Sequence, residues 1–510
     1  MNTLTRKILN PNLVIHDTTT NYHPVRATSE EDSKFTVSQT TNYTELCALI
    51  DKWKVFLLEK YDAQPGQTVF IQGHPSADYY SLAIATWELG LINVLDMPRI
   101  RSKEEVNGTK TKMFGIIDFI IRTNTEEEIY GAQLTGVAPK WHLTPVFVNE
   151  LERDQNQSRF IINIGECMSY TVQDPEKYAN VSDIILCTPE SDLIKFPSSG
   201  TTGDPKLLYM NHKNVVGMAN RYIPNTKCIP EDIALHTNNL NHGSTLMIHW
   251  LPSFMICNTH YTANSSNMPA LVKFANEVGV NRTLLYTTKL LLDWLSNTDP
   301  VDRPLRIMTL FQITDEIIQL AQSKNVIIYG MFGSSDIGGF FFLKVIDAEF
   351  NPVGYEVSWM GKPVDDFWQF EIRDNDILWI SCPTLGMDWC TAGDRFKLVG
   401  NDYYFMGRSD LYRIGETWVK LVDLETLLYN HFSDSANIVI DVDLQKIYLA
   451  IWEENLRSEE VFKGQFGIAY PNLSIDYIMR GETSPRFSSG RKVDNSLIRD
   501  YCRNKLGLAK

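Results

Sequence analysis

The chain has 510 residues, 44% of them hydrophobic and 21% charged, an ordinary globular mixture with material for a large core and too much length for one simple domain. Its 47 Lys and Arg against 62 Asp and Glu leave a formal net charge of −15. That balance argues against nucleic acid or an anionic membrane bound through a broad basic surface, while leaving room for a local basic pocket that holds phosphate. The eight cysteines form no C-x-x-C pair and no metal-ligand spacing with histidines, which reads as reduced thiols in a cytoplasmic protein. No apolar run is long enough for a signal peptide or a bilayer span.

In chain order, residues 1–40 are polar and read as a loosely attached arm. "YTELCALIDKWKVFLLEKY" follows with helical spacing, placing Leu46, Leu49, Ile50, Trp53 and Leu57 on one face. "QTVFIQG" reads as a buried strand, and "DYYSLAIATWELG" as a helix ending at Gly90. "FGIIDFIIR" and "RFIINIG" are further strands, giving the alternation of a layered α/β domain. "TLMIHWLPSFMIC" reads as a buried element, "LVKFANEV" and "TKLLLDWLSN" as helices, and "DEIIQLAQSKNVIIYG" as a helix followed by a strand. Residues 340–407 are strand-rich and predict a compact antiparallel, barrel-like unit. The predicted class is α/β, with a large N-terminal domain over 1–407 and a small, mobile α+β domain over 408–510.

One stretch concentrates polar chemistry. "FPSSGTTGDPK" at 196–206 runs from a short apolar segment towards a predicted helix. Glycines let backbone N–H groups approach an anion, hydroxyls add short donors, and Lys206 adds a cation. The spacing is not that of the common P-loop, so a solvated turn and a phosphate loop are equal readings of the residues alone.

The stretch resembles the signature loop of the acyl-adenylate-forming enzymes, the superfamily of acyl- and aryl-CoA ligases, carrier-protein adenylation domains and luciferases. Phe196, Ser198, Ser199, Gly200, Thr201, Thr202, Gly203, Pro205 and Lys206 match it, with Pro197 between the aromatic and the serine. Four more segments resemble that family's motifs in the family's order. In "YGMFGSSDIGG", Phe332 and Gly333 take the places of the aromatic and glycine beside adenine. There Ser335 replaces a threonine, and Asp336 replaces the glutamate that binds Mg²⁺. In "DWCTAGDRFKLVG", Asp394 takes the place of the carboxylate that accepts both ribose hydroxyls, a task suited to an acceptor-only group. In "GRSDLYRIGETW", Arg408 would contact the nucleotide and Asp410 would be the interdomain hinge. In "SPRFSSGRKVDN", the catalytic lysine falls on Lys492, with Arg491 as the alternative.

The resemblance implies ATP-dependent conversion of a carboxylic acid to acyl-AMP, with Mg²⁺, then transfer to a thiol: CoA, or the phosphopantetheine of a free-standing carrier protein. Thr201 and Lys492 would be catalytic, and His242, Phe311 and Ser334 would line the substrate pocket. The departures are Asp336 for glutamate, Ser335 for threonine, and Leu310, Phe311 and Gln312 where the family has a glycine-rich turn. They keep a different reading open, a degraded nucleotide-binding protein. His242 reads equally as a pocket-mouth or a structural histidine.

Overall fold

The computed structural model describes residues 3–20, 35–73, 75–95, 117–122, 158–197, 207–238, 240, 243–263, 268–286, 288–300, 303–310, 313–334, 337, 339–356, 358–373, 376–383, 387–391, 393–408, 411–414, 417–420, 424, 427, 428, 432, 436–441, 444, 446–451, 456–480 and 495–508. Strands β1 (Val14–Thr20) and β2 (Phe35–Asn42) lead into α1 (Tyr43–Tyr61). Asn42 starts that helix with a capping box, its side chain accepting from the Glu45 N–H while Glu45 reaches back, which satisfies two otherwise orphaned donors. The chain continues through β3 (Thr68–Gln72), α2 (Ala77–Glu88), β4 (Ile92–Val94), β5 (Ile117–Arg122), β6 (Ser158–Asn163), α3 (Ile164–Met168), β7 (Asp192–Pro197), β8 (Leu207–Asn211) and α4 (His212–Asn225). Strands β3 to β8 form a six-stranded sheet in the order β6-β5-β3-β4-β7-β8. All its pairs are parallel except β7–β8.

The second large sheet takes β9 (Ile233–His236), β10 (Thr259–Thr262), β11 (Arg282–Leu285), β12 (Leu305–Thr309), β13 (Val326–Ser334), β14 (Gly339–Ile346) and β15 (Lys362–Pro363), together with β1 and β2. Its order is β15-β14-β13-β12-β11-β9-β10-β1-β2. The six strands from β13 to β1 run parallel, and β2, β14 and β15 are antiparallel edges. Helices α5 (Leu251–Ile256), α6 (Met268–Glu277), α7 (Thr288–Asn297) and α8 (Asp315–Ser323) connect these strands. Adjacent residues split between two cores, as a two-residue strand period requires. Leu284, Met308 and Tyr329 face a large cluster shared with α1, α2, α4 and α5, whereas Leu285, Ile307 and Ile328 face α6, α7 and α8.

Strands β16 (Gln369–Arg373), β17 (Ile377–Cys382), β18 (Met387–Cys390), β19 (Asp394–Val399) and β20 (Asp402–Arg408) make the expected antiparallel unit. Residues 340–346 are the exception. They form β14 and belong to the nine-stranded sheet, because β14 returns directly against β13. Further on, β21 (Leu411–Ile414) pairs with β22 (Thr417–Lys420), and β23 (Ala436–Asp441), β24 (Lys446–Ile451) and β25 (Tyr477–Arg480) form a small mixed sheet. Helices α9 (Leu456–Ala469) and α10 (Asn495–Lys505) complete this part. It has its own core, including Val419, Leu428, Ile438, Leu449, Phe462 and Phe466.

Two expectations are corrected. Residues 3–20 are not a loose arm. Leu4, Leu9, Leu13 and Ile15 are buried in the main core, and the Leu4 N–H donates to His212 Nδ1 at 3.0 Å. Arg6 meets the fully buried Glu88 at 2.8 Å, beside Lys54 at 3.0 Å, so the charges that made this segment look exposed are matched inside. The loop after β7 also does not lead directly into a helix. It closes a hairpin, because "LLYMN" pairs back on β7 before α4 begins.

Candidate active site

In open α/β sheets, ligands bind beyond the carboxyl ends of the parallel strands, where the strand order changes direction. In the nine-stranded sheet β9 has β10 on one side and β11 on the other. The carboxyl ends of β9, β11, β12 and β13 are therefore the expected lip, at His236, Leu285, Thr309 and Ser334. His242, Leu310–Gln312 and Phe332–Asp336 follow or include these ends in sequence. The signature loop follows the carboxyl end of β7 in the other sheet. Leu310 and Ser334 thus lie at the carboxyl ends of neighbouring strands, β12 and β13.

The best-defined cluster lies between β13 and the antiparallel unit. The half-buried Phe332 packs on Phe396 and Phe405, with ring centroids 5.4 and 5.3 Å away. Phe396 and Phe405 belong to β19 and β20, and the register of that hairpin puts Asp394 directly opposite Arg408. Asp394 is buried at 5% exposure. Phe332 is therefore packed on the same strand pair that carries Asp394 and Arg408. Between Phe332 and Gly333 the β13–β14 register shifts by a bulge, a device that re-aims side chains beside sites. Gly333 and Gly339 permit this tight hairpin. A Cβ on Gly333 would lie 2.1 Å from the Gly339 carbonyl, and one on Gly339 would lie 2.4 Å from Met218 Cε.

Ser334 ends β13 and is buried. Leu310, at the end of β12, is half-buried and packs on the main core. Gly243 and Ser244 are helical and lead into a π-helical stretch, Thr245–Trp250, whose residues are all buried. π-Helical turns of this kind recur at functional sites. Tyr286, just past β11, bonds the Ser244 hydroxyl at 3.0 Å and also the Thr245 hydroxyl. Residues 198–206, His242, Phe311, Gln312, Ser335, Asp336, Asp410, Arg491 and Lys492 lie outside the described residues, as does the side chain of Arg408.

Sequence reasoning missed three features here. Phe396 and Phe405 read only as strand residues. Tyr222, on α4, has no motif, though its i, i+4 spacing from Met218 marks a buried helix face. Lys344 sits opposite Gly330 on β14, and burial pulls its amine down to about 7. It lies over the rings of Tyr355 and Trp359 at 5.7 and 5.9 Å. Away from the lip, the donor atoms of Cys228, Asp232 and Cys257 fall within 4.8 Å of one another. Asp232 is already occupied by Arg303 and Arg306 at 3.1 and 2.8 Å, which makes that cluster an ion-paired element of the core rather than a cation site.

No family model matches the chain, and no curated protein sequence matches it. Solved structures do. An O-succinylbenzoate coenzyme A synthetase (MenE) from Bacillus subtilis, in complex with ATP and magnesium ion, superposes with a TM-score of 0.67 at 16% identity, covering 97% of this chain and 98% of that one. The McyG A-PCP structure with phenylalanyl-adenylate gives 0.69 at 15% identity, covering 99% and 96%. A fatty acyl-adenylate ligase structure, from work on the E. coli and L. pneumophila enzymes, gives 0.69 at 15% identity, covering 97% and 96%. The chain has the acyl-adenylate-forming fold. Likeness at this identity establishes architecture, so the chemistry of the adenylate-forming fold has to be argued from the residues at its lip.

Proposed function

We propose that this protein activates a carboxylic acid with ATP, forming acyl-AMP and pyrophosphate, and then passes the acyl group to a thiol, by preference CoA. The observation that carries the reading is the packing of Phe332 on Phe396 and Phe405, in the strand pair whose register sets Asp394 opposite Arg408. An aromatic face, an acceptor-only carboxylate and a guanidinium are what an adenine, a ribose diol and a phosphate require. These groups fit ATP. The MenE structure with ATP and magnesium ion supports the same nucleotide here.

The chemistry is positioning and charge neutralisation more than proton transfer. A carboxylate oxygen attacks the α-phosphorus, and the bond to pyrophosphate breaks. Lys492 would offset charge at the carboxylate and α-phosphate, while the hydroxyls of 198–202 and Lys206 would hold the departing pyrophosphate. Mg²⁺, when bound, neutralises phosphate oxygens, and Asp336 is the carboxylate that would hold it. In the second half-reaction a thiol attacks the acyl carbon and AMP leaves, after 408–510 turns about Asp410. A carrier-protein thiol is the alternative acceptor, with the A-PCP neighbour as its support. Leu310, Phe311 and Gln312 replace small residues beside the acid, so the pocket should favour a compact acid.

The test is ATP–pyrophosphate exchange across a panel of aryl and short to medium acids. Acid-dependent exchange that is lost in Lys492→Ala and kept in Arg491→Ala supports the reading. ATP binding with no exchange for any acid would replace it with a nucleotide-binding role, and the reverse pattern of the two variants would move the catalytic cation to Arg491.

A further inference from the structure

The β13–β14 hairpin carries Phe332, Gly333 and Ser334 up one strand and Gly339 and Phe340 down the other. Its outer edge is covered unevenly. β15 pairs with Phe342 and Leu343, and the Val364 N–H donates to the Phe341 carbonyl at 3.0 Å. At Phe340 a side chain takes over. The Tyr222 hydroxyl donates to the Phe340 carbonyl at 2.7 Å and accepts from the Phe340 N–H at 2.9 Å. One phenol thus serves both backbone groups that an edge strand would have paired. Tyr222 is buried at 1% exposure, and its ring meets Phe340 edge-on at 6.1 Å.

The helix bearing Tyr222 is firmly held. Asn211 caps it by accepting from the Asn214 N–H. Arg221, next to Tyr222, reaches Asp365 at 3.5 Å and stacks over Phe367 at 4.8 Å. Met218, one turn before Tyr222, fills the space that Gly339 leaves. The same helix follows β8, the strand that closes the signature-loop hairpin. It therefore joins the hairpin of one sheet to the hairpin of the other.

We propose that Tyr222 is a positioning residue for adenylation, standing in for the missing edge strand at Phe340 and fixing the β13–β14 hairpin relative to the strand that precedes α4. This rests on the adenylation reading above. The segment it fixes adjoins residues 335–338, which include the carboxylate expected to bind Mg²⁺, so the consequence falls on the metal–nucleotide side of the reaction and not on the acid.

The experiment compares Tyr222→Phe, which keeps the ring and removes both hydrogen bonds, with Val215→Ala, which loosens the same helix without touching Phe340. Amide hydrogen exchange of the 333–342 segment is read first and needs no activity. Tyr222→Phe should speed it about 10-fold, the loss expected for two buried hydrogen bonds, and Val215→Ala should leave it as in the wild type. In pyrophosphate exchange, Tyr222→Phe should raise the Mg²⁺ concentration for half-maximal rate roughly 5-fold and lower kcat, with the KM of the acid within about 2-fold. Unchanged amide exchange overturns the proposal. So does faster amide exchange with unchanged Mg²⁺ demand, or an equal shift in Val215→Ala. If the wild type exchanges pyrophosphate with no acid, the adenylation reading falls, and the amide-exchange arm still decides whether Tyr222 braces the hairpin.

Discussion

The two hairpins that close the parallel sheets do similar topological work with opposite chemistry. In each, the last parallel strand turns back into an antiparallel edge strand, β7 into β8 and β13 into β14. The first connection, residues 198–206, is long and made of Ser, Thr, Gly, Pro, one Asp and one Lys. The second, residues 335–338, is short and lies between Gly333, where a Cβ would meet backbone, and Gly339, where one would meet the Met218 side chain. A connection rich in donors suits gripping an anion. A hairpin closely packed at its flanks suits holding the aromatic Phe332 in a fixed place. Under the proposed function, the contrast would set a nucleotide between a grip and a platform.

Several substitutions sharpen or break that contrast. The largest effect belongs to the platform's charge. Asp336→Ala should lower pyrophosphate exchange by about 10²–10³-fold, and partial recovery at high Mg²⁺ would mark the loss as one of metal binding. Gly333→Ala should instead act on stability. Its Cβ would meet backbone at 2.1 Å, so the urea midpoint should drop by the equivalent of about 3 kcal/mol or more. A wild-type midpoint would dissolve the platform description. On the grip side, Lys206→Ala should reduce kcat by about 10-fold while the KM of the acid stays put, as read by steady-state exchange.

A separate effect is a slope with pH. Burial depresses His249 to about 3 and His260 and His212 to about 4, and drives His236 well down. A folded pKa below the unfolded value of 6.5 means the neutral form is the folded one. Its stabilisation is complete above pH 6.5 and drains as pH falls towards 4, by about 1.4 kcal/mol per pH unit for each histidine. Asp17 opposes this. Burial raises it to about 6, so its contribution is present at low pH and lost as pH rises through that value. Urea unfolding at pH 7, 6 and 5 reads the sum, and a flat profile would show that the histidines are not dry.

Much of the fold was legible because its helices and inner strands announce themselves locally. α1 shows its period, and β5, β6 and β13 are apolar runs between turn residues. Val55, Phe56 and even Lys54 are buried as well in α1, since a second face meets Glu88 and the Tyr178–Val181 segment. The N-terminal strand was hidden for a physical reason. "VIHDTTT" has two aliphatic residues and then polar ones, and it becomes a strand only because β2 and β10 flank it. Of the candidate site, the structure describes Phe332, Gly333, Ser334 and Asp394, whereas 198–206, Ser335 and Asp336 lie outside the described residues. Tyr222 was not legible, because a brace works through distant backbone atoms that no local pattern reveals.

The position of β1 has a consequence for how the protein is made. Val14 pairs with Thr259 in parallel register, so β1, paired at first only with the nearby β2, cannot join the parallel strands until β10 has followed it. At roughly 5–20 residues per second that is a delay on the order of 10–50 s, spent with Leu4, Leu9 and Ile15 uncovered. The burial of these residues thus waits on a strand made much later than they are. Protease digestion of stalled nascent chains should show them gaining protection only once the chain has grown past residue 262, the end of β10.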